Sequence, residues 1–168
     1  MEQLKVLNPE HATDTDVQSF SVRKAARAVV YDDDKRIALL HVTKKHYYKL
    51  PGGGLDEGET VDDALLRECF EEIGRNVEVK AELGELIEYR KLFGIKQISY
   101  CFIAKAIGEQ LVPEFTQEEL TDGFELVWVP YREALDLVRD SVTDNDEGRL
   151  YIVPRDTILL EATKGHFE

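Results

Sequence analysis

The sequence predicts one domain of the α/β or α+β class, in which strands and helices form a single core. Its length of 168 residues lies within the ~100 to 200 residues usual for one domain. Several apolar, β-branched runs end at charged or glycine-rich turns, as strands do, and between them lies a segment with clear helical periodicity. No stretch has the composition of an interdomain linker, so residues 1–168 are predicted to form one domain.

The charge balance narrows the choice of partners and location. The chain has 34 acidic residues against 21 Lys and Arg, for a formal net charge of −13, and such a field repels polyanions. A nucleic-acid polymer and an anionic membrane are therefore poor partners. No apolar run approaches the ~20 residues of a membrane span and the first residues lack a signal-peptide pattern, so we expect a cytoplasmic protein. Cys69 and Cys101 have apolar neighbours, and neither is assigned to a disulfide or a zinc site.

The first half of the chain is predicted to contain a peripheral segment, a hairpin and a shaped loop. Residues 1–19 mix charges without periodicity, which favours a short edge strand followed by a loop. The run SVRKAARAVVYD, a charged turn at Asp32–Lys35 and the run RIALLHV together indicate a β-hairpin. Three consecutive glycines, Gly52–Gly54, then follow Pro51, and such a run is typical of a loop.

The helix after Thr60 is the clearest element of the sequence. Thr60 is a suitable N-cap and Gly74 a suitable C-terminal cap. Between them, apolar residues recur on one helical arc at a spacing of 3.6 residues. They are Leu65, Leu66, Cys69, Phe70 and Ile73.

The second half is predicted to contain strands followed by two helices. Residues 76–107 indicate a second antiparallel pair, broken at Gly84 and near Phe93–Gly94. A polar loop and the strand FELVWV, stopped by Pro130, come next. Helical spacing then appears in YREALDLVRD and again from Pro154 to about Ala162.

Three glutamates on the Thr60 helix are the first indication of chemistry. Glu68, Glu71 and Glu72 have the spacing i, i+3 and i+4 and therefore project from one side of the helix. A divalent cation would relieve the repulsion between them, and oxygen ligands favour Mg²⁺ or Mn²⁺ over zinc. The alternative is an acidic helix face that is simply solvated.

The residues around these glutamates resemble the signature box of the Nudix hydrolases, G-x5-E-x7-R-E-U-x-E-E-x-G-U, where U is a bulky aliphatic residue. The resemblance covers residues 53–75, and Cys69 and Arg75 depart from its aliphatic positions. It implies a Nudix fold, an α/β/α sandwich with a mixed sheet. It also implies Mg²⁺-dependent hydrolysis, with Mn²⁺ as a possible substitute, of a nucleoside diphosphate linked to another group. All fixed positions of the box match, at Gly53, Glu59, Arg67, Glu68, Glu71, Glu72 and Gly74.

The resemblance also implies roles for particular residues. Glu68, Glu71 and Glu72 would bind the metal, together with a carbonyl of the glycine loop that we assign to Gly53. Arg67 and Glu59 would pair with each other and support the loop.

The general base differs between members of the family. In some it is a box glutamate, here Glu68 or Glu71, and in others a glutamate of a later loop. The later candidates are Glu118, Glu119 and Glu125, of which Glu119 is favoured because of its position before the strand that contains Trp128.

Substrate contacts are harder to assign from the sequence. Arg23 and Arg27 alternate on the first long strand and would reach a phosphate, or would only solubilise the strand edge. Among the aromatic residues, Tyr48 and its neighbour Tyr47 are candidates for stacking on a base, whereas Trp128 is more typical of a core residue. No histidine is assigned to catalysis.

A nucleoside triphosphate is the favoured substrate, as for the MutT-like members of the family. Members that act on ADP-ribose or dinucleoside polyphosphates tend to carry a marker residue after the box, and Tyr89 matches it only inexactly. The alternatives are an ADP-sugar or dinucleoside polyphosphate hydrolase and a nucleotide sensor without catalysis. A small nucleotide is the expected partner, and a homodimer is possible because dimers are common in the family.

Overall fold

The computed structural model describes all 168 residues. Eight strands occur in chain order: β1 (Gln3–Leu7), β2 (Ser21–Tyr31), β3 (Arg36–Val42), β4 (Tyr47–Lys49), β5 (Gly52–Gly54), β6 (Asn76–Arg90), β7 (Ile95–Ile107) and β8 (Phe124–Pro130). Six α-helices accompany them: α1 (Asp14–Ser19), α2 (Val61–Ile73), α3 (Gln117–Asp122), α4 (Tyr131–Arg139), α5 (Val153–Ala162) and α6 (Lys164–Phe167).

The strands form one mixed sheet. Its main path is β1-β6-β7-β2-β3-β4, with β5 paired to β2 and β8 paired to β3. The β1–β6 and β2–β7 pairs are parallel and the other pairs are antiparallel. The predicted pairs β2–β3 and β6–β7 are both present. However, β2 and β3 pair only at Tyr31 and Ile37, so they diverge and leave room for β5.

Helices cover both faces of this sheet, so the predicted α/β/α sandwich is confirmed. On one face, α2 packs against alternate residues of β2, among them Ala26, Ala28 and Val30. On the other face, α4 and α5 pack against Val29 and Tyr31 of the same strand. This division follows from the two-residue repeat of a strand, which directs successive side chains to opposite faces.

The predicted helix α2 has the expected caps. The Thr60 Oγ1 accepts a hydrogen bond of 3.1 Å from the Asp63 N–H. Gly74 adopts a left-handed conformation, with φ of 65°, and its N–H donates to the Phe70 carbonyl, which is the usual role of glycine at this position. The buried arc is narrower than predicted, because Leu66 is 43% exposed while Leu65 lies in the core.

Two segments predicted as loops are short helices. Thr13 and Asp16 form a capping box at the start of α1, and Thr116 and Glu119 form one at the start of α3. Each helix has only six residues, too few to show an apolar periodicity, so the capping pattern was the only signal. The predicted break at Gly84 is also wrong, since β6 continues through it, with shifts of register between Val79 and Ala81 and between Glu82 and Gly84.

The helix predicted to start at Pro154 begins earlier. A π-helical turn at Gly148–Ile152 leads directly into α5, and such turns are often found near functional sites.

None of the helices combines the length and the apolar composition that a membrane span needs.

Candidate active site

The main candidate site is a cavity of about 320 Å³ beside the glycine strand β5. Its walls come from five strands (β2, β4, β5, β6 and β8), three helices (α2, α3 and α5) and the turn that precedes α5. Only three of its 21 lining residues are hydrophobic, namely Tyr47, Phe124 and Ile152. A cavity with so few apolar side chains suits a highly charged ligand better than a hydrophobic one.

The glycines allow a very close approach of backbone to neighbouring groups. Gly52 has φ of 135°, and a Cβ added to it would overlap the Ala26 carbonyl oxygen of the adjacent strand β2. A Cβ on Gly53 would lie 2.5 Å from the Glu68 carboxyl group. Glycine at these two positions therefore brings β5 into contact with both β2 and the carboxylate side of α2.

Arg67 connects the loop before α2 with the carboxylates on that helix. Its Nε and Nη2 donate to the two carboxylate oxygens of Glu59 at 2.8 and 2.9 Å, and its Nη2 also donates to the Gly54 carbonyl at 3.0 Å. Hydrogen bonds from Arg67 lower the pKa of Glu59 to about 2, assisted by the Asp56 backbone N–H. The structure thus brings together the two residues to which the sequence assigned a supporting role.

Glu68 and Glu71 face the cavity on the other side of Arg67. The Arg67 Nη1 donates to Glu68 at 2.8 Å and, more weakly, to Glu71 at 3.4 Å. The Glu71 side chain is 36% exposed. Desolvation raises the pKa of Glu71, Arg67 opposes that shift, and the nearby charges of Glu68 and Glu119 add to it.

Glu72 is almost completely buried, at 2% exposure. One carboxylate oxygen accepts from the Lys49 Nζ at 2.9 Å, and the other accepts from the Gly52 N–H at 2.8 Å. Burial raises the pKa of Glu72 to about 7, although Lys49 and the Gly52 N–H favour its ionised form. Glu72 therefore connects α2 to the glycine strand through the Gly52 N–H, whereas Arg67, also on α2, connects it through the Gly54 carbonyl.

The donor set suits a hard divalent cation, although the side chains do not converge on one. Glu68, Glu71 and Glu72 all line the cavity, and carboxylate oxygens are the ligands that Mg²⁺ prefers. Arg67 pairs with Glu68 and Glu71, and Lys49 pairs with Glu72. Each of the three carboxylates therefore has a positively charged partner. No group of three or more His, Cys, Asp or Glu side chains is arranged so that it could hold a metal ion.

The later-loop glutamates fall into two groups. Glu118 and Glu119, both on α3, line the same cavity as the α2 carboxylates. Glu119 also accepts from the Thr116 N–H at 2.9 Å as part of the capping box. Glu125 on β8 is exposed and does not line this cavity; it borders a separate groove.

The predicted substrate contacts are also divided by the structure. Arg23 and Arg27 line the cavity. Tyr48 does not: its ring stacks on His41, with centroids 4.1 Å apart, and it lines another pocket. The strand repeat explains this difference, since the adjacent Tyr47 faces the cavity instead. The structure therefore does not bring Tyr48 to this cavity, and its role as a substrate contact stays a prediction.

Two remaining aromatic assignments can be compared with the structure. Trp128 packs against the core cluster beneath α2, as expected for a core residue. Tyr89 is absent from the cavity lining, whereas Arg90, its neighbour on β6, is present.

Sequence reasoning missed several residues of the site. Lys49, Arg90 and Arg155 all line the cavity. Lys49 precedes Gly52 by only three residues, and this closeness to the glycine run could have indicated that it belongs to the site. Arg90 and Arg155 lie at the ends of a strand and a helix far apart in the chain, so no spacing rule connects them.

A glycine strand that meets glutamates on one side and arginines on the other, within a polar cavity, defines a site for a phosphorylated anion. The family comparison agrees, because the NUDIX domain model matches residues 21–150. The chain belongs to the NUDIX domain family, and the resemblance in the sequence is confirmed.

Individual relatives support this assignment over different lengths. An RNA pyrophosphohydrolase of Sulfurovum sp. (strain NBC37-1) is 52% identical over 46 residues, which are 27% of this chain and 29% of the relative. An 8-oxo-(d)GTP phosphatase of Mycolicibacterium smegmatis (strain ATCC 700084 / mc(2)155) is 30% identical over 135 residues, 73% of this chain and 39% of the relative. The chain thus spans less than half the length of either relative. A NUDIX hydrolase structure from Nitrosomonas europaea has the same fold, with a TM-score of 0.65 at 16% identity, covering 88% of this chain and 92% of that one.

Proposed function

We propose that this chain hydrolyses a phosphoric anhydride bond of a nucleotide with the help of Mg²⁺ or Mn²⁺. The observation that carries the proposal is the meeting of Glu68, Glu71 and Glu72 with the glycine strand in one polar cavity. The names of the two curated relatives, a pyrophosphohydrolase and a phosphatase, support the same chemistry.

The residues that would hold the metal are the three glutamates of α2 and a backbone carbonyl of the Gly52–Gly54 strand, with Gly53 our first choice. A bound divalent cation neutralises phosphate oxygens, polarises phosphorus and lowers the pKa of an attacking water. The contacts of Arg67 and Lys49 with these carboxylates keep the acidic cluster folded together. Arg67 also keeps Glu59 in place, so that the loop remains seated against α2.

Glu119 is our first choice for the general base. It lines the cavity and lies close enough to Glu71 to raise the pKa of that carboxyl group. Glu118, also on the cavity wall, is second. If neither acts as the base, Glu68 and Glu71 of the box helix are the remaining candidates.

We propose a nucleoside triphosphate as the substrate, with cleavage that releases pyrophosphate. The cavity has too few apolar side chains to enclose a large hydrophobic group. A triphosphate at the 5′ end of an RNA is a second candidate, because the Sulfurovum relative is named an RNA pyrophosphohydrolase. The net charge of −13 favours the free nucleotide over the RNA.

The test is a substrate screen with detection of both phosphate and pyrophosphate. The screen contains nucleoside triphosphates, ADP-ribose, a dinucleoside polyphosphate and a 5′-triphosphorylated oligonucleotide, each with Mg²⁺, with Mn²⁺ and with EDTA. We expect release of pyrophosphate from a triphosphate, and its loss in EDTA. Nucleotide binding without any product would instead identify a sensor, and full turnover in EDTA would contradict the metal assignment.

A further inference from the structure

The end of the cavity beyond the glycine strand is formed by a cluster of arginines. We call Arg23, Arg27, Arg90 and Arg155 the arginine wall; all four line the cavity. Arg27 and Arg90 are each 4% exposed and Arg155 is 1% exposed. So much buried positive charge stands out in a chain with a net charge of −13, because arginine is rarely fully buried unless it is paired.

The sheet explains why these residues meet. On the face covered by α5, neighbouring strands change from apolar to polar residues as they approach the cavity. In β2 the change runs from Val29 to Arg27 and Arg23, and in β6 from Leu86 to Glu88 and Arg90. The strand repeat places each of these series on a single face of the sheet. The helix α5, which covers that face, contributes Arg155.

Three members of the wall have defined hydrogen bonds. The Arg27 Nε donates to Ser99 Oγ and its Nη1 donates to the Gly52 carbonyl, both at 3.2 Å. Arg23 donates to the Gln97 Oε1 at 2.6 Å. The Arg90 Nε and Nη2 donate to Glu88 Oε1 at 3.2 and 2.9 Å, while its Nη1 donates to Glu147 Oε1 at 2.9 Å.

Arg155 is different, because its two terminal nitrogens are buried without a hydrogen-bond partner. Only its Nε is satisfied, by Asp156 Oδ1 at 2.6 Å. The nearest other carboxylate oxygen, Glu88 Oε2, lies 3.7 Å from Nη1, beyond hydrogen-bond distance. Buried charged donors are nearly always satisfied, so a guanidinium with two open nitrogens on a cavity wall points to an acceptor supplied by a ligand.

The charges around the wall leave room for an anion. The four guanidinium groups are opposed by Glu88, Asp156 and Glu147, of which Glu147 has a side chain that is 42% exposed. Desolvation acts against the charge of Arg155, but Asp156 and Glu88 more than offset it and raise the pKa of Arg155. Burial lowers the pKa of Arg27 to about 10, helped by the charge of Arg155, and Arg27 therefore stays protonated at neutral pH.

The wall begins beside the carboxylates of α2. A Cβ on Gly54 would lie 2.9 Å from the Arg23 Nη2, whereas a Cβ on the preceding Gly53 would lie 2.5 Å from the Glu68 carboxyl group. The adjacent residues Gly53 and Gly54 therefore separate the α2 carboxylates from the arginine wall. If one phosphoanhydride of a substrate lay next to these carboxylates, the next phosphate along its chain would lie beside the arginines.

We propose that the arginine wall binds the terminal phosphate of the substrate and that Arg155 is its specificity-determining residue. The inference rests on the proposed function and deepens it. It assigns the site to nucleotides with a free terminal phosphate, in preference to nucleotide sugars whose distal group is uncharged. Planar guanidinium forks match phosphate oxygens in a bidentate geometry.

The first experiment measures binding of inorganic tripolyphosphate by calorimetry and thermal shift in EDTA, where hydrolysis plays no part. We expect the wild-type protein to bind it, Arg155→Lys to bind at least about 10-fold more weakly, and Arg155→Met not to bind. Arg149→Met is the matched control. Arg149 lies on the turn before α5, pairs with Asp146 and has a side chain that is 54% exposed, so its replacement should leave binding unchanged.

Folding of each variant is checked by circular dichroism. If Arg155→Met does not fold, Arg155→Lys still tests Arg155 itself, and Arg23→Met, at an exposed position, tests the arginine wall as an anion site. Weaker tripolyphosphate binding by a folded Arg155→Lys or Arg23→Met supports the proposal. Equal binding by these variants and the wild type would overturn it.

The second experiment compares kcat/KM for ATP and ADP-ribose in the presence of Mg²⁺. Arg155→Lys should lower the value for ATP about 10-fold and the value for ADP-ribose less than about 3-fold. Equal losses on both substrates would contradict the specificity role. If no substrate of the screen is turned over, the proposed function fails, while tripolyphosphate binding still decides whether the arginine wall is an anion site.

Discussion

The carboxylate wall and the arginine wall face the same cavity but arise in different ways. We use carboxylate wall for Glu68, Glu71, Glu72, Glu118 and Glu119, which come from two helices. Three of its members follow one another on a single helix, whereas the arginine wall is assembled from β2, β6 and α5. The comparison teaches that the sequence reveals chemistry arranged along one helix, whereas of the arginine wall it reveals only Arg23 and Arg27, the two members that share one strand.

The two walls also differ in how their charges are held. Glu68 and Glu71 share one arginine and remain partly accessible. The arginine wall is mostly buried and holds a guanidinium with open donors. We therefore expect changes in the carboxylate wall to act mainly on kcat and changes in the arginine wall mainly on KM.

The largest expected effect is that of Glu68→Gln. It removes a charge from the proposed metal site and a contact with Arg67, so kcat should fall by ~10² or more at saturating Mg²⁺. Steady-state kinetics on the best substrate of the screen measure it. Glu82→Gln, on an exposed position of β6, is the control and should keep its activity. Near-normal turnover by Glu68→Gln would place this carboxylate outside the chemistry.

A smaller and more selective effect is expected for the glutamates of α3. If Glu119 is the base, Glu119→Gln should lower kcat by ~10², and Glu118→Gln by less. Glu125→Gln, at an exposed position outside the cavity, should change kcat less than ~3-fold. The three variants are compared at one pH and one Mg²⁺ concentration. A normal Glu119→Gln enzyme would move the search for the base to Glu68 and Glu71.

Arg27→Lys should show the opposite kinetic pattern. Lysine keeps the positive charge but loses the fork that joins Ser99 Oγ to the Gly52 carbonyl. KM for the triphosphate should rise about 10-fold while kcat stays within about 3-fold. Arg132→Lys, at a side chain that is 81% exposed, is the control. A fall in kcat with an unchanged KM would mean that the arginine wall does not act mainly on KM and so does not differ kinetically from the carboxylate wall.

The Glu59–Arg67 pair should appear in the pH dependence of stability. Because Arg67 holds the pKa of Glu59 at about 2, well below its ordinary value of 4.5, the stabilisation is present above pH 4.5 and is lost as the pH falls towards 2. Glu59→Gln should therefore be less stable than the wild type at pH 7, and the gap should close towards pH 2. Urea unfolding of both proteins across this range measures it. A constant gap would mean that the charge of Glu59 adds nothing.

Tyr48→Leu should have the smallest effect, because Tyr48 lies in neither wall and stacks on His41 elsewhere. Both kcat and KM should stay within about 2-fold of the wild type. A large rise in KM would mean that the substrate extends beyond the cavity to the His41 side.

The sequence was sufficient for the box helix and for most of the strands. Thr60, Gly74 and the glutamate spacing are local signals, and all of them lie on α2 as expected. The short helices α1 and α3 were missed because six residues are too few for periodicity. Arg155 could not be assigned, since its importance depends on Glu88 and Arg90, which only the packing of α5 on the sheet brings near it.

The position of Arg155 has a consequence for how the protein is made. Synthesis on the ribosome delivers the carboxylate helix and the glycine strand early, whereas α5 emerges only after residue 153. Until then, Glu88 and Arg27 lie on a sheet face that α5 does not yet cover, and the proposed anion-binding end of the cavity lacks Arg155. A nascent chain therefore contains the glutamates of α2 well before it contains Arg155.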